Sequence, residues 1–211
     1  MSTNTENPNF QLILASSSSY RKELLSKLQL PFSTSSPDID ESPLINEPAQ
    51  ETALRLAHLK ALAIAKNHPE AIIIGSDQVA LLDNEQIGKP GNHENALEQL
   101  IKMQGREVVF HTALCVYDGR QDTSQNSSHS RTQLKSILTK VKFRNLSVAE
   151  LDRYLKIEQP YDCAGSAKNE GLGIALMEYI QSDDPSALTG LPLIALTSML
   201  RNCGIAFFQM R

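Results

Sequence analysis

The chain has 211 residues, of which 41% are hydrophobic and 21% are charged, and its net charge at pH 7 is −4. No run of about 18 apolar residues is present, which excludes a transmembrane helix, and the acidic balance argues against nucleic-acid polymers as partners. The N-terminus lacks the basic and apolar regions of a signal peptide. The three cysteines are widely spaced, so neither a disulfide framework nor a zinc site is indicated. We therefore expect a cytoplasmic globular protein that does not bind membranes.

Strand and helix patterns alternate in the first part of the chain. Residues 1–9 are polar and predict a disordered tail, whereas residues 10–15 are an apolar run typical of a buried strand. Residues 19–29 carry leucines at helical spacing. Four prolines between positions 31 and 48 predict a strand, a turn and an irregular loop. Residues 50–66 are rich in Ala and Leu, lack Gly and Pro, and predict a helix.

The rest of the chain predicts consecutive strands as well as helices. The predicted elements are strand runs at 71–74 and 79–82, a helix over 92–103 ended by Gly105, strands over 107–117 and 133–144 around a polar loop at 119–131, a helix from Ser147 to Glu158, a strand near 172–178, and a helix from Pro192 to Gly204. This order favours an α/β fold with a mixed sheet flanked by helices. We expect one domain over residues 10–211, a description that also fits two lobes around a central cleft.

The stretch L-I-L-A-S-S-S-S-Y-R-K, residues 12–22, places four serines and two cations where a strand meets a helix. A helix N-terminus offers unpaired N–H groups and the positive end of the dipole, so it binds phosphate readily. Cations are mildly unfavourable there unless an anion is shared. These residues alone leave two interpretations open, a plain capped turn and an anion site.

A second polar interruption lies in I-I-I-G-S-D-Q-V-A-L-L-D, residues 72–83. Asp77 is flanked by buried strand runs, where a carboxylate costs free energy unless it is paired, protonated or bound to a metal. The residues leave two interpretations open. One is a bulge or turn with a hydrogen-bonded Asp77, and the other is a pocket carboxylate that acts as a base or metal ligand.

Further candidates are weak one by one. They are the acidic cluster that ends at Glu41, Lys60 within an otherwise apolar helix, and Lys89 in G-K-P. The chain contains, in this order, L-I-L-A-S-x-S-x-x-R, D-E, the helix lysine, I-I-G-S-D-Q-V, G-K-P, C-A-G-S-x-K-x-E-G and G-L-P. In combination, these motifs resemble those of the Maf family of nucleotide pyrophosphatases. The resemblance spans about residues 10–204, and it is strongest to the branch that acts on 7-methyl-GTP.

This resemblance implies a fold akin to inosine-triphosphate pyrophosphatases and a metal-dependent cytoplasmic hydrolase that releases pyrophosphate from a nucleoside triphosphate. The implied cofactor is Mg²⁺ or Mn²⁺, the implied partner is a small nucleotide, and a homodimer is left open. The implied site residues are Asp77 as proton acceptor, Lys60 and Lys89 as catalytic cations, Ser16, Arg21 and Lys22 for phosphate, Glu41 with Asp77 for the metal, and Tyr20, Gln78 and Glu170 for base preference. The family often has S-x-S-P-x-R-R, where this chain has Ser19 and Arg21-Lys22, and lysine cannot form the bidentate fork of arginine.

The chemistry of the base supports this assignment. Methylation at N7 makes guanine cationic, which favours an aromatic face such as that of Tyr20. The carboxylate of Glu170 suits the N1–H and N2–H₂ donors of guanine and would repel the acceptor oxygens of uracil or thymine. Two alternatives stay open: the same reaction on dTTP, UTP or another modified nucleotide, and a nucleotide-binding regulator without turnover.

Overall fold

A computed structural model of the chain describes residues 10–120 and 131–208, so the predicted tail at 1–9 and most of the predicted loop at 119–131 lie outside the described residues. The elements are, in chain order, β1 (Leu12–Ala15), α1 (Ser19–Ser26), β2 (Ser33–Ser35), α2 (Ala49–Ala65), β3 (Ile72–Leu82), β4 (Glu85–Ile87), α3 (His93–Met103), β5 (Glu107–Asp118), β6 (Thr132–Phe143), α4 (Val148–Glu158), β7 (Met177–Ser182) and α5 (Leu193–Asn202). None of the described helices is long and apolar enough to cross a membrane.

All the described strands belong to one mixed sheet. Its order is β2-β1-β3-β5-β6-β7, and β4 pairs with β3 outside this path. β1 runs parallel to β2 and β3, whereas β3, β5, β6 and β7 are antiparallel neighbours. The predicted mixed α/β sheet flanked by helices is confirmed.

The helices cover the two faces of the sheet differently. α2 packs on one face, with Ala57 and Ala61 buried against β1, β3 and β5. On the other face, α1 and α5 cover one end of β3 around Ile72 and Ile74. α3 and α4 cover its opposite end around Ala80. The core on this face is therefore divided at the middle of β3, which agrees with the expected lobes around a central cleft.

One edge of β3 is open at the same place. β1 pairs with this strand as far as Gly75, and β4 pairs with it from Ala80 onward. Among the described residues, no strand pairs with this edge at residues 76–79. β1 is parallel and β4 antiparallel to β3, so both run toward this opening. The segment that follows β1 therefore begins, at Ser16, on one side of this opening. The segment that follows β4 begins, at Gly88, on the opposite side.

Three details differ from the sequence-based expectations. β3 is continuous through Asp77, with regular pairing to β5, so the bulge or turn interpretation is wrong. The segment predicted as a strand near 172–178 is a 3₁₀ turn over Leu172–Leu176, and the strand follows it as β7. A short apolar run does not distinguish these two structures by period. The three-residue β4 was not predicted, because it is too short to show a period.

Candidate active site

A cleft of about 600 Å³ opens beside the unpaired edge of β3. This volume lies within the usual range of ligand sites in proteins. The structure brings nine of the ten predicted site residues to its wall: Ser16, Tyr20, Arg21, Glu41, Lys60, Asp77, Gln78, Lys89 and Glu170. Lys22 is the exception, since its side chain is exposed on α1 and is not among the lining residues.

Two carboxylates share one buried ammonium group in the cleft. Lys60 Nζ lies 2.7 Å from Asp77 Oδ1 and 2.9 Å from Glu41 Oε1. Lys60 reaches Asp77 because α2 packs directly on the strand: a Cβ on Gly75 would lie only 2.1 Å from the carbonyl oxygen of Ala57. The glycine before Ser76-Asp77-Gln78 thus permits the close helix–strand contact on which this pair depends.

Burial raises the pKa of Asp77, and the nearby charges of Lys60 and Arg21 oppose that shift. Only Oδ1 is bonded to Lys60, and no described residue donates a hydrogen bond to Oδ2. The carboxylate therefore has one oxygen fixed by a cation and the other directed to a polar cleft. A carboxylate of raised pKa is a stronger proton acceptor when ionised, which is the property that a general base requires.

Arg21 and the serines form a second polar group at the start of α1. The side chain of Ser18 caps the helix by accepting a hydrogen bond from the backbone N–H of Arg21. The guanidinium donates from Nε to the carbonyl of Gly190 at 2.9 Å and from Nη1 to Ser16 Oγ at 3.4 Å. Burial lowers the pKa of Arg21, but a guanidinium stays protonated. Nη2 has no acceptor among the described residues, so this group can bind an anion.

Lys89 lies on the opposite side of the cleft. Its backbone is held by α3, since Gln99 Nε2 donates to Gly88 O at 3.1 Å and Asn95 Nδ2 donates to Pro90 O at 3.0 Å. Its side chain is exposed, and no described residue forms an ion pair with its ammonium group. Lys89 and Arg21 thus present two cations across the opening from opposite lobes.

The remaining wall is formed by Tyr20 and the segment that contains Glu170. Burial raises the pKa of Tyr20 to about 12, so the phenol is neutral at physiological pH. Its hydroxyl lies 4.0 Å from Cys163 Sγ, and the ring centroid lies 5.6 Å from Lys168 Nζ. Glu170 is exposed at the rim, where partial desolvation raises the pKa of its carboxyl. This end of the cleft combines an aromatic ring with a carboxylate.

Comparison with known proteins places these features in a family. The model of the family described as Maf-like protein matches residues 11–203. The chain belongs to the Maf family.

Several curated Maf-family relatives carry the same name. The "7-methyl-GTP pyrophosphatase" of Cupriavidus metallidurans is 59% identical over 93% of this chain and 95% of that protein. The protein of the same name from Cupriavidus pinatubonensis is 56% identical over 97% of this chain and 98% of that protein. A solved structure, the nucleoside-triphosphatase or dITP/XTP pyrophosphatase of Mycobacterium abscessus, aligns with a TM-score of 0.41 at 14% identity, covering 92% of this chain and 97% of that one. The fold assignment rests on the sheet itself.

Sequence reasoning missed the clamp that holds the acidic loop of this Maf-family chain. Arg55 on α2 donates to both oxygens of Glu47, at 2.6 and 2.7 Å, and to the carbonyl of Ser42 at 3.1 Å. These hydrogen bonds lower the pKa of Glu47 to about 2. The clamp fixes the loop immediately after Glu41. A Glu–Arg pair eight residues apart that spans a loop has no periodic signal, so only the resemblance could have indicated it.

The described residues contain no cluster of three or more His, Cys, Asp or Glu side chains of the kind that holds a metal ion by protein ligands alone. The Maf-family site is nevertheless suited to a hard cation that is bound jointly with a substrate. Mg²⁺ typically takes one or two carboxylates together with phosphate oxygens and waters. Glu41 and Asp77 each have an oxygen without a hydrogen-bond donor among the described residues, so the donor set fits such an ion.

Proposed function

We propose that this chain hydrolyses 7-methyl-GTP to 7-methyl-GMP and pyrophosphate. The observation that carries the proposal is the near-full-length match to relatives of that name at 56–59% identity. The composition of the cleft supports it, because the cleft has cations for a triphosphate, a carboxylate for proton transfer and an aromatic ring for a base.

The triphosphate would lie between the two cations of the cleft. Arg21 has a free Nη2 and lies beside Ser16 and the N-terminus of α1, where N–H groups and the dipole favour phosphate. Lys89 would bind from the other side. Both cations would stabilise the negative charge that develops on the leaving pyrophosphate. Lys22 would add only a screened, long-range charge from the exposed face of α1.

Asp77 would accept the proton of the water that attacks the phosphate. Lys60 holds its Oδ1, so Oδ2 is free to orient that water. When bound, a divalent cation would neutralise phosphate charge and polarise the anhydride, and Glu41 and Asp77 are the residues that would hold it. The ammonium group of Lys60 would favour the ionised form of this carboxylate and so oppose the effect of burial on its pKa.

The base would be recognised by Tyr20 and Glu170. A cationic methylated guanine gains attraction from an aromatic face, and the neutral phenol of Tyr20 supplies one. The carboxylate of Glu170 has two acceptor oxygens for the two donor groups on the guanine edge. Uracil and thymine present acceptors at the corresponding position, so the same carboxylate would disfavour them.

Incubation of the purified chain with Mg²⁺ or Mn²⁺ and a panel of canonical and methylated nucleoside triphosphates tests the reaction. We expect equimolar pyrophosphate and 7-methyl-GMP, with the highest kcat/KM for 7-methyl-GTP. Release of orthophosphate alone would exclude the assigned bond cleavage. Higher kcat/KM for dTTP or UTP would exclude the substrate assignment and leave the reaction class standing.

Glu170→Gln is expected to lower the preference for 7-methyl-GTP over UTP about tenfold, the factor associated with one weakened charge-assisted hydrogen bond. The carboxamide has a single acceptor oxygen and adds an NH₂ donor that uracil can accept. The measurement is the ratio of kcat/KM for the two substrates. Glu178→Gln is a matched control, because Glu178 is exposed on β7 and does not line the cleft. Unchanged discrimination in Glu170→Gln would show that Glu170 does not read the base.

A further inference from the structure

The loop of residues 187–190 is hydrogen-bonded to the middle of β3 and β5, and residues 188–190 line the cleft. Its carbonyls accept hydrogen bonds from side chains of three elements. Thr112 on β5 donates to Ala187 O at 3.0 Å. Arg21 on α1 and Ser76 on β3 both donate to Gly190 O, at 2.9 and 2.8 Å. The 187–190 loop is thus held by β5 and by the two elements, β3 and α1, that carry Asp77 and Arg21.

Gln78 is an anchor of this loop as well as a lining residue. Its Nε2 lies 2.9 Å from Thr112 Oγ1, 3.0 Å from Leu188 O and 3.1 Å from Ala187 O. Two of these neighbours are carbonyls, which can only accept, so the nitrogen and not the oxygen of the carboxamide faces them. An amide nitrogen has two hydrogens, and three acceptors already compete for them. Gln78 can therefore offer a bound base only its Oε1.

The loop is joined to the segment of Glu170 by one pair of side chains. Asn169 Nδ2 donates to Thr189 Oγ1 at 3.2 Å, and the Thr189 hydroxyl in turn lies 3.4 Å from Asn169 Oδ1. Both residues are half-buried, and both line the cleft. Asn169 immediately precedes Glu170. The segment that carries Glu170 is thereby joined, through Asn169, Thr189 and the 187–190 loop, to Gln78 on β3.

We propose that Asn169 and Thr189 are specificity-determining residues, whose contact holds the Glu170 carboxylate in register with the base. This inference rests on the proposed function. A carboxylate that must meet two donors of a guanine edge at once tolerates little displacement, since hydrogen bonds weaken steeply with distance and angle. A freely moving Glu170 would still attract a cationic base but would lose the paired geometry. Discrimination between bases would then fall more than affinity for nucleotides in general.

The test compares Thr189→Val, which keeps the shape but removes the hydroxyl, with Thr189→Ser, which keeps the hydroxyl. Binding of 7-methyl-GMP and of UMP to the full chain is measured by calorimetry, a readout that does not depend on turnover. We expect Thr189→Val to reduce the ratio of the two affinities about tenfold, and Thr189→Ser to retain it. Asn169→Ala should have the same effect, and the double variant should be no worse than the more affected single variant, because both remove one interaction.

Three results would overturn the inference. The first is an unchanged ratio of the affinities for 7-methyl-GMP and UMP in Thr189→Val. The second is an equal loss of affinity for both nucleotides in this variant, which would indicate a merely structural contact. The third is a wild-type chain that binds the two monophosphates equally, because there would then be no preference for the pair to set. A wild-type chain that prefers 7-methyl-GMP but releases no pyrophosphate from 7-methyl-GTP would overturn the proposed reaction alone. The loss of that preference in Thr189→Val would still support the role of the pair.

Discussion

Replacing Asp77 by Asn is expected to lower kcat for 7-methyl-GTP about 100- to 10,000-fold, which is the range contributed by a positioned general base. Asn has the same shape but cannot take a proton from water. The effect should lie in kcat more than in KM, because Arg21 and Lys89, which would bind the triphosphate, are unchanged. The measurement is the initial rate of pyrophosphate release under saturating substrate.

The pH dependence of the wild-type chain adds a second check of the same role. Burial raises the pKa of Asp77, and the base must be ionised to act, so activity is lost as the pH falls through that raised pKa. The acid limb of the kcat profile should therefore lie above the range of an ordinary aspartate. In Asp77→Asn the residual activity should no longer show this limb.

The control is Asp38→Asn, which removes an equal charge from the neighbouring acidic loop. Asp38 is exposed and does not line the cleft, so the kcat of Asp38→Asn should match that of the wild type. Asp77→Asn should remain folded, since Lys60 keeps its ion pair with Glu41, and thermal unfolding verifies this. A folded Asp77→Asn with wild-type kcat would exclude both the base role and the metal-ligand role.

Much of the architecture could be predicted from local patterns. The strands and helices with clear periods, such as α2 and β5, were predicted nearly to their ends. The capping box of Ser147 and Glu150 correctly placed the start of α4. The polar triplet around Asp77 left a bulge and a pocket carboxylate both open, because burial of polar side chains in a strand depends on partners elsewhere in the chain. The partner of Asp77 is Lys60 on α2, and the partners of Gln78 and Ser76 are backbone carbonyls of the 187–190 loop.

The candidate site was predicted less evenly. Residues of the family motifs were named because their order along the chain resembles a known pattern, and nine of the ten line one cleft. The groups that hold them in place were not predicted. Arg55, Thr112 and Thr189 act on backbone carbonyls or on single side chains across loops, and such contacts produce no spacing or composition signal. Lys22 was named because it occupies the position of the second arginine in the family's R-R pair, but successive residues on a helix point in different directions.

Lys60→Met is expected to reduce kcat at neutral pH about 100-fold, as removal of one preorganised electrostatic group commonly does. Methionine fills the buried space of the lysine stem but leaves Asp77 and Glu41 without the shared ammonium group. The interactions with Lys60 lower the pKa of Asp77 against the effect of burial, so their loss raises that pKa further. The acid limb of the activity profile should therefore move to higher pH than in the wild type.

The stability of Lys60→Met should depend on pH in a direction that follows from the same shift. The lysine and aspartate side chains are only 7% and 10% exposed, so breaking their pair is expected to cost about 3 kcal/mol at alkaline pH. A carboxyl whose pKa is raised in the folded state favours folding when protonated and loses that contribution as the pH rises through the folded-state value. The deficit in free energy of unfolding should thus shrink at acidic pH and grow toward alkaline pH. The control Lys66→Met removes an exposed lysine just after α2 and should change neither the acid limb of activity nor the free energy of unfolding. If the loss of unfolding free energy in Lys60→Met did not depend on pH, Lys60 would support packing and not the charge of Asp77.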